Sequence, residues 1–307
     1  MAIKANMDAA GARSFLSNYY QCDMTAVQPI EQGELSRAYY FQHRGLDYVI
    51  RFNNKGEGFA KEQWLCGRFP SLRSSIPSIV DTGLYGELSY CISIRASGQS
   101  LQSMQLSQIR YVIPDLLNQF AQFQQLSLPE HGGYGMINSE GNGMCGSWSE
   151  FLELFFDETG SGFWYGWKQL FKAGILEQDY FEAWYSRMAE LAEFVPEERY
   201  LVHGDFHVGN IISDGKRITG IVDWEMGMYG DFVFDIATME MWTPELQFSH
   251  LFREYTHEMG CRIDSFEERF QCATLFKSLD ALRFYAKKKD RGAYEHIKRF
   301  IDKMAAG

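Results

Sequence analysis

Two carboxylates and a carboxamide set around an aspartate–glycine turn constrain this chain more than any other feature. Asp205 and Asn210 stand five positions apart in His203-Gly204-Asp205-Phe206-His207-Val208-Gly209-Asn210, and Asp223 follows thirteen positions later in Ile221-Val222-Asp223-Trp224-Glu225. Between them, Ile211-Ile212-Ser213 and Arg217-Ile218-Thr219-Gly220-Ile221-Val222 read as two strands around Asp214-Gly215-Lys216, the pattern of a hairpin. A hairpin folds its far end back on its start, so Asp223 is predicted to return close to Asn210. Oxygen donors of this kind suit Mg2+, which takes one or two protein groups together with substrate phosphates. Asp205 is then left as a base, and the set is what phosphoryl transfer from ATP requires. A polar turn with a buried structural Asp accounts for one such residue, but poorly for three at this spacing.

The rest of the chain fits an enzyme of this kind. With 307 residues, 46% of them hydrophobic, it can bury a sizeable core in one large domain or two joined lobes. The first twenty residues hold no continuous apolar block, and no run approaches the length of a membrane-spanning helix. The six cysteines are scattered without a Cys-x-x-Cys pair, so free thiols in a reducing cytoplasm are expected and a zinc site is not. The net charge of −11 is uneven: +1 over residues 1–97, −15 over 98–250 and +3 over 251–307. The acidic middle argues against a nucleic-acid partner and for a cationic one. No membrane partner is expected, and the chain is expected to be a monomer or weak dimer.

Periodicity divides the chain near residue 97. Residues 9–20 look helical. Strand-like runs follow at 27–32, 37–43 and 46–52, then a helix at 59–69 with Glu62, Leu65 and Phe69 at helical spacing. A second hairpin is predicted from 80–85 and 88–94 around Gly86-Glu87. Beyond Ser97-Gly98 helices dominate. Ser107 is placed to cap a helix running to 126, and residues 128–145, rich in Gly, read as a long loop. Ser147 with Glu150, and Ser265 with Glu268, read as capping boxes. Residues 175–194 are helical, and Pro244 opens a further helix behind Thr243. The expected plan is α+β: a β-rich lobe at residues 1–97, a mainly helical lobe at 98–307, and a cleft between them.

At this point His203-Gly204-Asp205, Asn210 and Ile221-Val222-Asp223-Trp224 resemble the signature of the aminoglycoside phosphotransferase family, which has the two-lobed protein-kinase-like fold. The likeness extends over nearly the whole chain. Gly33-Glu34-Leu35-Ser36-Arg37-Ala38, Tyr48-Val49-Ile50-Arg51, Ser89-Tyr90-Cys91-Ile92-Ser93 and Gly230-Asp231 are most similar to the hygromycin B phosphotransferase branch. The resemblance implies an enzyme using ATP or GTP with Mg2+, with Asp205 as the catalytic base and Asn210 and Asp223 as metal ligands. It implies that His203 braces the loop and that His207 packs or faces solvent. It implies that Asp231 and Asp235 tie the catalytic loops to a following helix.

For the nucleotide, the resemblance implies Arg51 on a strand where most kinase-like folds carry a Lys. Arg keeps the charge and adds a bidentate fork. Glu62 is its natural ion-pair partner on the next helix. The phosphate loop is expected at residues 32–38, where Ser36 and neighbouring N–H groups could cap a phosphate. The adenine is expected against the connector Ser93, Ile94, Arg95 and Ala96, bonded to its backbone. Glu225, Glu240 and Trp242, downstream of the metal Asp, are candidates for binding ammonium groups and stacking on a sugar.

The expected activity is thus O-phosphorylation of a cationic small molecule, such as the aminoglycoside hygromycin B. A metabolic kinase for an amino alcohol or sugar is the nearest alternative. A non-catalytic nucleotide-binding regulator predicts damage to Asp205, Asn210 or Asp223, and all three are present. A protein kinase predicts Asp-Phe-Gly at the metal, where Asp223-Trp224-Glu225 stands instead.

Overall fold

The protein is described by a computed structural model covering residues 4–31, 36–158 and 162–306. It divides into two compact units. The first comprises Met1–Phe123, Ile137–Gly141 and Gly209–Gly227; the second comprises Gln124–Met136, Asn142–Val208 and Met228–Gly307. Residues 98–123 and the hairpin bearing Asn210 and Asp223 therefore pack with the first 97 residues. Spacing along the chain could not reveal this, because it is set by which side chains fasten the hairpin.

The first unit opens with α1 (Ala9–Tyr20), capped by Asp8, whose side chain accepts the Gly11 N–H at 2.7 Å. Five antiparallel strands follow: β1 (Val27–Ile30), β2 (Arg37–His43), β3 (Leu46–Asn53), β4 (Ile79–Tyr85) and β5 (Leu88–Ile94), in sheet order β1-β2-β3-β5-β4. Arg44 and Gly45 both take positive φ, which makes the tight link between β2 and β3. Ala12, Phe15 and Leu16 of α1 pack on Val27, Tyr39, Phe41, Ile50, Phe52 and Ile92 of the sheet. Burying each large apolar side chain contributes about 1.5–3 kcal/mol. Helix α2 (Glu57–Arg68) lies between β3 and β4 in the chain. The unit ends with the short strand β6 (Gln99–Ser100) and helix α3 (Leu106–Phe123).

Ser107 falls inside α3 and not at its cap. The preceding N–H, that of Gln105, is taken by the Gln108 side chain at 2.9 Å. The stretch read as one long loop contains β7 (Tyr134–Ile137) and β8 (Gly143–Cys145), whose glycines disguised them.

The second unit is mainly helical. Helix α4 (Trp148–Leu154) begins at Ser147, which accepts the Glu150 N–H at 3.1 Å as the capping box requires. Then come α5 (Gln169–Lys172), α6 (Gln178–Ala192) and β9 (Tyr200–Val202). The hairpin strands β10 (Ile211–Ser213) and β11 (Ile218–Ile221) belong to the first unit. The second resumes with β12 (Met228–Gly230), α7 (Val233–Trp242), α8 (Phe248–Glu258), α9 (Phe266–Lys288) and α10 (Arg291–Ala306). Strands β8-β7-β12-β9 form its sheet. Its core gathers Phe151, Phe181, Val202, Phe234, Phe276 and Leu279 from five of these elements. The second capping box fails: Ser265 sits in the left-handed region with φ 48 and makes no side-chain cap. Pro244 opens only a short 3-10 turn before α8.

Candidate active site

In the first unit, Arg51 and Glu62, which the family resemblance singled out, lie together. Arg51 on β3 donates Nη1 to Glu62 Oε1 at 2.9 Å and Nη2 to Glu62 Oε2. The guanidinium also lies over the Phe59 ring at 5.1 Å and donates to Cys91 Sγ at 3.4 Å. Burial opposes its charge, but the Glu62 carboxylate, with smaller help from Cys91 and then Asp223, outweighs burial and raises the Arg51 pKa. Arg51 is therefore a fixed cation with a fixed direction.

The predicted hairpin is present. Ile211 faces Ile221 and Ile212 faces Gly220, with a bulge before Ser213 pairs Ile218. At the turn, the Asp214 carboxylate accepts the N–H groups of Lys216 at 2.9 Å and Arg217 at 3.0 Å, and Gly215 takes φ 86. At the open end Val222 N–H donates to the Asn210 carbonyl at 2.9 Å, so Asp223 follows directly on a residue bonded to Asn210. Asp223 holds φ 66, in the left-handed region that Asp and Asn enter more readily than most residues other than Gly. Its side chain is exposed, whereas Trp224 is buried, donating Nε1 to the Ile221 carbonyl at 2.9 Å.

The hairpin is fastened from one side by α3. Asp115 accepts the Ile218 N–H at 2.6 Å, and Gln119 donates to the Ile218 carbonyl at 3.1 Å. On its other edge β10 pairs with β6 through Ile212 and Ser100.

Asp205 lies in the second unit, on a loop held by three groups. His203 N–H donates to Asp235 Oδ2 at 2.7 Å and Gly204 N–H to Asp235 Oδ1 at 2.8 Å. Lys277 Nζ donates to the Gly204 carbonyl at 2.8 Å. His203, fully buried, accepts the Asp205 N–H on Nδ1 at 3.2 Å, so it braces the loop as expected. His207 does not simply pack or face solvent: its Nε2 lies 3.4 Å from Asp205 Oδ2. Burial acts to raise the Asp205 carboxyl, but the His207 hydrogen bond and the charges of Lys277, His207 and His203 together outweigh it. The group is held well below the usual carboxylate range. Asp235 is the reverse: burial pushes it up to about 7, even though both N–H groups favour its charge. Asp231 is paired with Arg269 at 3.0 and 2.6 Å and accepts the Val233 N–H at the start of α7.

The other expected residues are placed less tellingly. Ser36 Oγ accepts from Asn53 Nδ2 at 3.1 Å; the rest of the expected phosphate loop, residues 32–35 with Gly33, lies outside the described residues. Ser93 and Ile94 end β5, and Ala96 packs at Gly220. The Ile94 and Arg95 N–H groups already donate to the Ser78 and Asp47 carbonyls, so this part of the connector is less open than expected. Glu225 packs its side chain over Gly58 of α2. Glu240 accepts the Ser249 N–H at 3.0 Å, at the start of α8. Trp242 is 44% exposed.

Sequence reasoning missed Lys61 and Lys277. A Lys beside a Glu on an amphipathic helix looks like a solvated pair, and Lys277 reaches Gly204 from an element more than seventy positions away. Among the described residues no group of three or more His, Cys, Asp or Glu side chains is gathered for a metal. The donor types of Asn210 and Asp223, a carboxamide and a carboxylate oxygen, are ones that Mg2+ accepts beside phosphates and water.

The profile of the phosphotransferase enzyme family designated APH matches residues 26–264. Hygromycin-B 4-O-kinase of Escherichia coli is 29% identical over 247 residues, spanning 79% of this chain and 70% of that one. The crystal structure of a thermostable mutant of aminoglycoside phosphotransferase APH(4)-Ia, in ternary complex with AMP-PNP and hygromycin B, superposes with a TM-score of 0.80. It is 26% identical, over 94% of this chain and 96% of that one. Spectinomycin phosphotransferase APH(9)-Ia, solved with ADP and spectinomycin, shares the fold alone: TM-score 0.64, 14% identity, 96% and 95% coverage.

Proposed function

The chain belongs to the APH phosphotransferase enzyme family, and on that premise we propose that it transfers the γ-phosphoryl group of ATP to a hydroxyl of hygromycin B or a close aminoglycoside. The observation that carries this is the identity with hygromycin-B 4-O-kinase over most of the chain, with Asp205, Asn210 and Asp223 all present.

Asp205 serves as the base. Because its carboxyl stays ionised, it can accept a hydrogen bond from the acceptor hydroxyl at any neutral pH and orient it toward the phosphorus. Asp235 and Lys277 fix the loop from which it acts. Asn210 and Asp223 would hold Mg2+, which when bound neutralises charge on the nucleotide phosphates. Arg51, aimed by Glu62, grips a phosphate with its remaining donor capacity. Residues 1–97 carry nucleotide contacts, with Ser36 near the phosphates and Ser93, Ile94 and Ala96 near the base. Residues 98–307 carry the catalytic loop, the metal residues and the acceptor face.

A polycationic acceptor suits the net −15 of residues 98–250. Of the three candidates for its contacts, Trp242 is the most exposed and suits stacking, while Glu225 and Glu240 would contribute charge. We place the protein in the cytoplasm, as a monomer or weak dimer. Supporting this, among the described residues no disulfide joins the six cysteines and no helix is long and apolar enough to cross a membrane. The test is ADP release from Mg-ATP across hygromycin B, kanamycin-like aminoglycosides and choline-like alcohols. Stimulation by hygromycin B supports the reading; silence across the panel overturns it.

A further inference from the structure

Helix α2 carries a second charged residue beside Glu62. Lys61 is only 4% exposed, and its ammonium donates to the Glu225 carbonyl at 2.6 Å and the Gly227 carbonyl at 3.3 Å. Both carbonyls belong to the turn that starts at Asp223: the 3-10 segment Trp224–Met226 and the residue that closes it. Gly58, one helical turn before Lys61 on the same face, marks how closely helix and turn approach. A Cβ there would stand 3.3 Å from Glu225 Cγ.

This contact is made against a penalty. Burial pulls the Lys61 amine down to about 8, with the charges of Glu225, Glu57 and Glu62 acting in the opposite direction. An ammonium removed from water needs acceptors, and here the direct ones are main-chain carbonyls of the turn after Asp223. The adjacent Glu62 turns toward Arg51, whose charge Asp223 also stabilises. One helix thus fixes both the phosphate-gripping Arg and the turn that presents the metal-binding Asp.

We propose that Lys61 is a positioning residue that sets the Asp223 carboxylate for Mg-nucleotide by gripping the main chain of the turn that follows it. The proposal rests on the assignment of Asp223 to the metal, so its test includes a measurement that needs no nucleotide. Lys61→Met removes the donor while keeping length and apolar bulk; Lys61→Gln is the second variant should the first not fold. Hydrogen exchange at residues 224–227 is followed in the free protein. Binding of a fluorescent ATP analogue is titrated with Mg2+ and repeated in EDTA.

The expected result is faster exchange at 224–227 and a half-saturating Mg2+ concentration raised about 10–100-fold, the range for losing a partner that orients a metal ligand. Metal-free binding of the analogue stays near the parent value. Unchanged exchange overturns the proposal. So does a Mg2+ requirement equal to the parent's in a variant whose turn has loosened. If the parent itself shows no Mg2+-dependent binding, the functional reading falls, and the exchange measurement alone decides whether Lys61 holds the turn.

Discussion

Asp235 accepts the backbone N–H of His203 on one carboxylate oxygen at 2.7 Å, from a position where it is wholly buried. Its other oxygen takes the Gly204 N–H. The conformation of the loop that carries Asp205 therefore depends on a wholly buried carboxyl group. Asp235→Ala leaves two buried donors unpaired, at about 1–3 kcal/mol each. The expected outcome is a lower midpoint of thermal unfolding together with a sharp fall in kcat, measured side by side.

The same residue makes a pH signature. Its folded pKa is raised from 3.8 to about 7, so the folded state holds a proton that the unfolded chain has released. Its contribution to stability is full below 3.8 and is lost as pH rises through about 7. Asp235→Asn cannot titrate. The stability difference between parent and Asn variant, from urea unfolding across that window, is expected to change steadily in favour of the variant as pH rises. A difference independent of pH contradicts the assignment.

Arg51 and Glu62 form a bidentate pair with little exposure, 19% and 8% of their side chains. Breaking such a pair by removing one partner costs about 3–5 kcal/mol. Glu62→Ala is expected to lose stability in that range and to raise KM for ATP more than KM for the acceptor. Arg51→Lys keeps the charge but not the fork, and is expected to raise KM for ATP as well. Steady-state kinetics varying each substrate in turn measures both.

Gly98 holds φ 102, and a Cβ there would lie 1.9 Å from the Ser213 carbonyl oxygen. Gly98→Ala is expected to destabilise the protein by at least about 1 kcal/mol. The strain falls on β10, so with Asn210 in its proposed metal role nucleotide binding is expected to weaken too. Chemical denaturation and nucleotide titration of the variant check this.

These residues differ in how far the chain alone revealed them. The hairpin was legible because an Asp-Gly turn between apolar runs leaves few alternatives, and Val222 does bond to Asn210. Arg51 and Glu62 were legible only through the family resemblance, since a Glu on an amphipathic helix is as easily read as an exposed one. The capping box at Ser265 was not reliable, since a left-handed backbone at that residue leaves its hydroxyl without a cap bond. His207 against Asp205 and Lys277 on Gly204 depend on tertiary packing that no local pattern reports. Nor could local pattern show that Glu225 leans on α2 and that Glu240 holds the start of α8.

In the proposed reaction Asp205 orients a hydroxyl of a hygromycin-like acceptor for phosphoryl transfer. The most direct measurement compares hygromycin-dependent ADP release from Mg-ATP in the parent and in Asp205→Ala, with nucleotide affinity measured on both. The parent is expected to turn over, and the variant to fall by about 10²–10⁴-fold with nucleotide binding largely kept. Turnover by the variant at the parent rate, or no hygromycin-dependent release from the parent, contradicts the claim.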